Sequence, residues 1–283
     1  MLPRIPYWSS LGLLDSIKKM IATFRIGISA RLVSSRIKSI RCHWLTTEAK
    51  PSITICDRSF LQSDMTNITP TISAKVGANL HCQRYHPLKA IKDHIEQYVH
   101  AIYRKRTGSP LFTCIDNLSP VVSVEQNFDS LSVPQDHVSR AKNDNYYINS
   151  DYLLRAHTSA HERDLVRAGL DAFLCTGDCY RRDEIDAKHY PVFHQMEGVR
   201  LFDKQDIFTK DKNLDIFDNS MQETEEKQAV HSLEAVKFVE NDLKEILMGI
   251  MNNLFGNIET RFVDAYFPFT HPSWEMEIKF QGD

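Results

Sequence analysis

One charged segment concentrates the side chains best suited to hold a polar ligand. Residues 180–198 read YRRDEIDAKHYPVFHQMEG, followed at once by the apolar run VRLF. Arg181 offers a planar fork that matches phosphate oxygens, and His189 lies on the loop that follows. Gln195 and Glu197 share one face of a strand through its two-residue period. An arginine and a carboxylate on one sheet surface favour a zwitterionic or nucleotide ligand.

Backbone phosphate sites are excluded by the glycines. The chain has ten glycines and no GxG pair among them, so it has neither a Walker loop nor a dinucleotide fingerprint, and it has no GxSxG elbow. Side chains must therefore hold any bound phosphate. The competing interpretation of the charged segment is an exposed β-hairpin with a solvated tip, and spacing alone does not separate the two.

The elements that would position these residues follow from hydrophobic periodicity. LDAFLCTGDCYRR and PVFHQMEGVRLF predict two strands joined by the charged loop, and residues 86–106 and 231–256 predict amphipathic helices, the second ending at Gly256. Residues 118–133 are strand-like, and Ser159 is placed as a helix cap with Glu162 three positions on. Helices and hairpins come in blocks, which predicts an α+β fold with a largely antiparallel β-sheet flanked by helices.

Charge divides the chain into a head and a body. Residues 1–47 carry eight Lys or Arg and one acid, whereas the remainder carries 26 basic and 36 acidic residues. A basic, acid-poor head with aliphatic residues at helical spacing predicts a mitochondrial transit peptide. A basic nucleic-acid arm and a misassigned gene start are the alternatives. We expect residues 48–75 to be a linker or N-terminal extension with little structure, and residues 76–283 to form the catalytic body.

Two further features bound the class of protein. No apolar run approaches the length of a membrane span, so we expect no membrane association. The six cysteines include no CxxC pair, which favours free thiols over a disulfide framework or a zinc site.

Four sequence blocks resemble one enzyme family. YRRDEIDAKHYPVFHQMEGV is similar to motif 2 of the class II aminoacyl-tRNA synthetases in the form found in phenylalanine–tRNA ligases. LLRAHTSAHE resembles the LLR-x-HTS segment of that family, YFPFTHPSWEMEI its FPFT-x-PS segment, and NFDSLSVPQDH its NFDAL-x-x-P-x-DH segment. The blocks occur in the family's order over residues 80–283. With the basic head, the chain most resembles the mitochondrial form of the family.

The resemblance implies a class II synthetase catalytic fold and a role for each matching residue. Arg181 would contact the α-phosphate of ATP, and His189, with Lys188 and Tyr190 beside it, would meet the outer phosphates. Gln195 and Glu197 would hold the amino-acid ammonium group and the adenylate. Catalytic roles fall to Arg181 and His189. The implied substrate-binding residues are Ser159, Ala160, His161, Glu162, Gln195, Met196, Glu197, Phe267 and Phe269.

Four positions carry particular expectations. Phe267 and Phe269 share a strand face and would pack edge-on against a phenyl ring, although aromatic pairs at this spacing are usually core residues. Glu162 stands where the family has glutamine, and Asp183 where it has glutamate. Mg²⁺ would arrive with ATP, and the histidines are interpreted as ligand contacts rather than zinc ligands.

The resemblance implies ATP-dependent attachment of phenylalanine to tRNA(Phe) through phenylalanyl-adenylate, by a monomer in the mitochondrial matrix. No glycine-rich strand with the family's third-motif arginine occurs before residue 283, nor does its anticodon-binding domain, so we expect a truncated product. The alternatives are a non-catalytic synthetase-like fragment that binds tRNA, adenylate or a partner, and an unrelated mitochondrial α+β protein.

Overall fold

The computed structural model describes residues 51–186, 189–208, 214–267 and 270–279, together with the backbone of residues 11–12 and 22–25. The transit peptide predicted over 1–47 therefore lies mostly outside the described residues, as do Lys188 and Phe269. The prediction for the head stays a prediction.

The described residues form eleven strands and six α-helices. The strands are β1 (Leu11–Gly12), β2 (Ala22–Arg25), β3 (Ser52–Ile55), β4 (Arg58–Leu61), β5 (Thr113–Ile115), β6 (Val121–Ser123), β7 (Tyr152–Leu154), β8 (Ala172–Tyr180), β9 (Val192–Arg200), β10 (Thr260–Asp264) and β11 (Ser273–Ile278). The helices are α1 (Pro70–Ser73), α2 (Pro87–Ile102), α3 (Val124–Asn127), α4 (Glu162–Arg167), α5 (Lys204–Ile207) and α6 (Leu233–Phe255).

A seven-stranded sheet organises the described part of the chain. Its strand order is β10-β11-β2-β1-β9-β8-β5, and every neighbouring pair is antiparallel except β5 and β8. Two antiparallel pairs of strands, β3–β4 and β6–β7, lie outside it. The predicted α+β class with a largely antiparallel sheet is confirmed.

The predicted hairpin supplies the two longest strands of this sheet. β8 and β9 pair over nine residues, from Ala172 opposite Arg200 to Tyr180 opposite Val192. Every residue of β8 is buried. Both faces of β8 are covered, and the polar side chains of Thr176 and Asp178 are buried together with the apolar ones.

Two helices pack against one face of the sheet and complete the main core. Ser232 caps α6 by accepting from the N–H of Ala235, and Gly256 follows the last turn with a positive φ of 78°. α2 crosses α6 so closely at Gly249 that an added Cβ would lie 2.1 Å from the hydroxyl of Tyr98. The buried cluster between helices and sheet includes Leu88, Ile95, Val99, Leu174, Met196, Leu243, Ile246, Leu247, Ile250, Trp274 and Met276.

Three local predictions were wrong in part. Residues 48–75 were expected to have little structure, but they contain the β3–β4 hairpin and α1, whose Ile55, Phe60 and Ile72 are buried. The strand expected over 118–133 is limited to Val121–Ser123, because Ser123 and Gln126 form a capping box that starts α3.

The third error concerns the cap placed at Ser159. Thr158–His161 is a 3-10 turn, and α4 starts at Glu162 after His161 without a side-chain cap. The Ser159 hydroxyl donates to Glu197 instead.

None of the helices in the described part of the chain is long and apolar enough to cross a membrane. The five cysteines among the described residues are all free thiols.

Candidate active site

Two polar side chains of β9 form the base of the candidate site. Glu197 lies opposite Cys175 and Gln195 lies opposite Gly177 in the β8–β9 register. Glu197 is fully buried and Gln195 nearly so. A buried carboxylate is tolerated only when hydrogen-bond donors or a cation compensate for lost water, so the surroundings of Glu197 decide what this site can bind.

The 3-10 turn Thr158–His161 supplies donors to both side chains. The Ser159 hydroxyl donates to Glu197 Oε2, and the Thr158 hydroxyl donates to the same oxygen at 3.4 Å. The backbone N–H of Thr158 donates to Gln195 Oε1 at 3.2 Å. The turn and β9 are therefore joined through Thr158 and through Ser159, Gln195 and Glu197, to which the resemblance gives the amino-acid end.

Arg181 leaves β8 at the edge of this group. Its Nε donates to the carbonyl oxygen of Ala156 at 3.0 Å, and its guanidinium carbon lies 5.0 Å from the ring centre of Phe193. Among the described residues, the two Nη groups donate to no acceptor, so they are available to an anion. Arg181 is thus held in place by its hydrogen bond to Ala156 and by its contact with the Phe193 ring.

The loop that joins β8 to β9 is exposed. The backbone N–H of His189 donates to Asp186 Oδ1 at 2.6 Å, and its Nδ1 lies 2.9 Å from Asp186 Oδ2. Tyr190 is half-exposed, with Lys75 Nζ 5.5 Å from its ring centre. No described contact joins His189 or Tyr190 to the group around Glu197, so their predicted phosphate roles stay predictions.

Some predicted substrate-binding residues point elsewhere. Met196 is buried in the main core on the face of β9 opposite Glu197, and Ala160 packs with Val122 and Phe128 in a separate cluster. The side chains of Met196 and Ala160 therefore face away from Glu197, and their predicted substrate-binding roles stay predictions.

Three further predicted residues have contacts of other kinds. His161 contacts Arg155, and Glu162 starts α4. Phe267 forms an isolated bridge with Thr270 at the turn between β10 and β11.

Thr158 is the residue of this site that sequence reasoning missed. It bonds both Gln195 and Glu197, through its backbone and its side chain respectively. The signal was its place directly before Ser159 in the HTS triplet.

Nucleophilic catalysis by cysteine does not fit this surface. Burial raises the pKa of Cys179 to about 12, and burial followed by the Glu197 charge raises the pKa of Cys175. Both thiols stay protonated at neutral pH and are poor nucleophiles. Within the described ranges, no group of three or more His, Cys, Asp or Glu side chains is arranged to hold a metal ion.

The arrangement can therefore bind and position, with a cation held at Glu197 and an anion at Arg181. A ligand that carries an ammonium group and a phosphate would satisfy both ends. Such a site accelerates a reaction by orientation and by stabilising charge that develops on phosphate, without a covalent enzyme intermediate.

Comparison with known proteins identifies the class of protein. The family model described as "tRNA synthetases class II core domain (F)" matches residues 71–240 and 229–283. The chain belongs to this family, as the fold of the β8–β9 hairpin and the motif 2 residues upon it had indicated.

The individual relatives are phenylalanine–tRNA ligases. The chain is 54% identical over 230 residues to the mitochondrial phenylalanine–tRNA ligase of Rattus norvegicus, covering 80% of this chain and 48% of the rat protein. It is 43% identical over 282 residues to the probable mitochondrial enzyme of Drosophila melanogaster, covering 89% and 62%. The Dictyostelium discoideum mitochondrial enzyme is 49% identical over 218 residues, covering 76% and 47%. The chain thus spans about half the length of most of these relatives.

Proposed function

We propose that this chain carries the amino-acid activation site of a phenylalanine–tRNA ligase, which joins phenylalanine to AMP at the expense of ATP and transfers it to tRNA(Phe). The observation that carries the proposal is the buried Glu197 carboxylate, held by Ser159 and Thr158 beside Gln195. The names of the relatives supply the amino acid.

Each residue of the site has a defined task in this reaction. Glu197 holds the ammonium group of phenylalanine, and Gln195 lies two residues away on the same strand face. Arg181 holds the α-phosphate in line with the attacking carboxylate and stabilises the charge that develops there. The step forms a bond from carboxylate oxygen to phosphorus and releases pyrophosphate.

The residues present fit Mg²⁺ as a companion of ATP rather than as a resident ion. No cluster of three metal-ligating side chains is found in the described residues. A magnesium ion bound to phosphate oxygens retains waters and needs few protein ligands, and it would neutralise charge on the pyrophosphate that leaves.

The test is phenylalanine-dependent exchange between pyrophosphate and ATP. We expect the wild-type chain to catalyse exchange and Arg181→Ala to lower it roughly 10²–10³-fold, as removal of a positioned charge stabiliser does in other enzymes. The matched control is Arg182→Ala, because Arg182 is exposed and donates to the Lys142 carbonyl at 3.0 Å. Exchange that survives Arg181→Ala undiminished would contradict the assigned role.

The same material tests the non-catalytic alternative. Because the chain spans 48% of the rat relative, binding of a non-hydrolysable phenylalanyl-adenylate analogue is measured beside exchange. Binding that Glu197→Gln weakens, without any exchange, would support a synthetase-like module that binds but does not turn over.

We further propose that the protein acts as a monomer in the mitochondrial matrix. The location is supported by the word "mitochondrial" in the names of the relatives and by the basic head of the chain. The monomer is implied only by the resemblance. Import of a head-bearing fusion into isolated mitochondria and sedimentation of the purified chain test the two statements separately.

A further inference from the structure

Arg155 is the largest of the fully buried side chains in the described part of the chain. It is 1% exposed. Its Nη2 donates to Asp178 Oδ1 at 2.7 Å, its Nε donates to the Asp178 carbonyl at 2.7 Å, and its Nη1 donates to the Leu118 carbonyl at 3.2 Å. The guanidinium therefore connects β8 to the segment that precedes β6.

The carboxylate partner is itself fixed. Asp178 Oδ2 accepts from the Tyr180 hydroxyl and from the N–H of Gly77 at 3.2 Å. Burial raises the pKa of Asp178, but the Arg155 charge and the Tyr180 hydrogen bond outweigh burial and place the pKa below its usual range. Asp178 is consequently ionised, and it holds Arg155 in one orientation.

The sequence leaves space for this guanidinium. Gly177 lies in the middle of β8, and a Cβ built there would lie 2.1 Å from Arg155 Nη2. Glycine is unfavourable in the interior of a strand. Here it is explained by the close approach of Arg155.

The remaining contact of Arg155 reaches the active-site turn. Arg155 Nη1 lies 3.0 Å from His161 Nε2. A guanidinium can only donate, so Nε2 must accept, and the neutral imidazole carries its proton on Nδ1. Burial and the Arg155 charge lower the pKa of His161 to about 3.

His161 ends the same 3-10 turn that presents Ser159 to Glu197. We propose that Arg155 is a positioning residue of the activation site, which holds His161 as the Nδ1–H tautomer and so anchors the turn that delivers the Ser159 hydroxyl to Glu197. The consequence for activity rests on the proposed function, whereas the tautomer does not.

The first experiment reads the tautomer in the unmodified protein. Long-range ¹H–¹⁵N correlation spectra of ¹⁵N-histidine-labelled protein between pH 5 and 8 should show His161 with a protonated Nδ1 and an unprotonated Nε2. His161→Gln assigns the signal by its loss. An Nε2–H tautomer, an imidazolium, or averaging between tautomers would overturn the proposal, whether or not the protein shows exchange activity.

The second experiment perturbs the anchor. Arg155→Lys keeps the charge but cannot bond Asp178 and His161 together, and Gly177→Ala displaces the guanidinium while every contact residue remains. In either variant we expect KM for phenylalanine in the exchange assay to rise roughly tenfold or more, from loss of a charge-assisted hydrogen bond at the turn, with KM for ATP changed less than twofold.

A control variant separates anchoring from general damage. Arg163→Lys alters a neighbouring arginine that pairs with Glu125 in solvent, and it should leave both KM values unchanged. A folded Arg155→Lys variant with unchanged KM for phenylalanine would overturn the anchoring role. Should Arg155→Lys not fold, Gly177→Ala and the tautomer measurement decide. Absence of exchange in the wild type would contradict the proposed function, but it would not affect the tautomer result.

Discussion

The backbone N–H of Thr158 donates to Gln195 Oε1 at 3.2 Å and thereby joins the active-site turn to the strand that bears Glu197. The same oxygen accepts from the thiol of Cys179 at 3.3 Å. With two donors on its oxygen, the Gln195 amide has a fixed orientation. Its NH₂ group is left as the donor that a ligand would meet.

Replacement of Gln195 by methionine should destabilise the protein. The change leaves the Thr158 N–H without its acceptor in a buried place, which costs about 1–3 kcal/mol. We expect the free energy of unfolding in urea to fall by that amount. Gln205→Met, on the exposed side of α5, should stay within about 0.5 kcal/mol of wild type. An equal loss of unfolding free energy in both variants would show that the hydrogen bond from Thr158 to Gln195 does not stabilise the fold.

Glu197→Gln should weaken phenylalanine binding selectively. The substitution keeps the size of the side chain and removes the negative charge that we propose pairs with the ammonium group of phenylalanine. We expect KM for phenylalanine to rise roughly 10- to 100-fold, with KM for ATP little changed. Glu225→Gln, at an exposed position, is the matched control. A parallel rise in KM for both substrates would indicate a distorted fold instead.

The long elements of the fold could be predicted from the sequence because their periodic patterns are strong. The helix predicted over 231–256 is Leu233–Phe255 with Gly256 after it, and the predicted pair of strands is β8 with β9. Short elements were harder. Ser123 and Gln126 form a capping box inside a β-branched segment, where composition favoured a strand and the local hydrogen bonds favoured a helix.

The candidate site likewise has a part that the sequence predicts and a part that it does not. Strand alternation was enough to place Gln195 and Glu197 on one face. The contact of Ser159 with Glu197 spans 38 residues and depends on the path of the turn, so no local pattern could reveal it. Instead Ser159 was predicted as a helix cap, because a serine three residues before a glutamate is the sequence pattern of a capping box. The buried Arg155–Asp178 pair was likewise hidden, since charged residues are seldom fully buried.

Gly249→Ala tests the close crossing of α2 and α6. In an exposed helix this change is stabilising by up to about 1 kcal/mol, but here the added methyl would lie 2.1 Å from the Tyr98 hydroxyl. We expect a loss of about 1–3 kcal/mol in the free energy of unfolding, as in other overpacked interfaces. Tyr98→Leu in the same chain should recover part of that loss. Stabilisation by Gly249→Ala alone would contradict the close approach.

His194 should make the fold sensitive to acid. It is 2% exposed, and neither ring nitrogen has a hydrogen-bond partner among the described residues. Burial, followed by the nearby His81, lowers its pKa from 6.5 to about 4. As the pH falls below 6.5 the unfolded chain takes up the proton first, so stability is complete above that pH and is lost between pH 6.5 and 4. This histidine should contribute up to about 1.4 kcal/mol per pH unit to the slope of unfolding free energy against pH. Urea unfolding across this range should show a shallower slope of unfolding free energy against pH for His194→Asn than for the wild type. His94→Asn, at an exposed position of α2, is the control, and its slope should remain steeper than that of His194→Asn. A slope that His194→Asn does not change would assign the acid sensitivity to other groups.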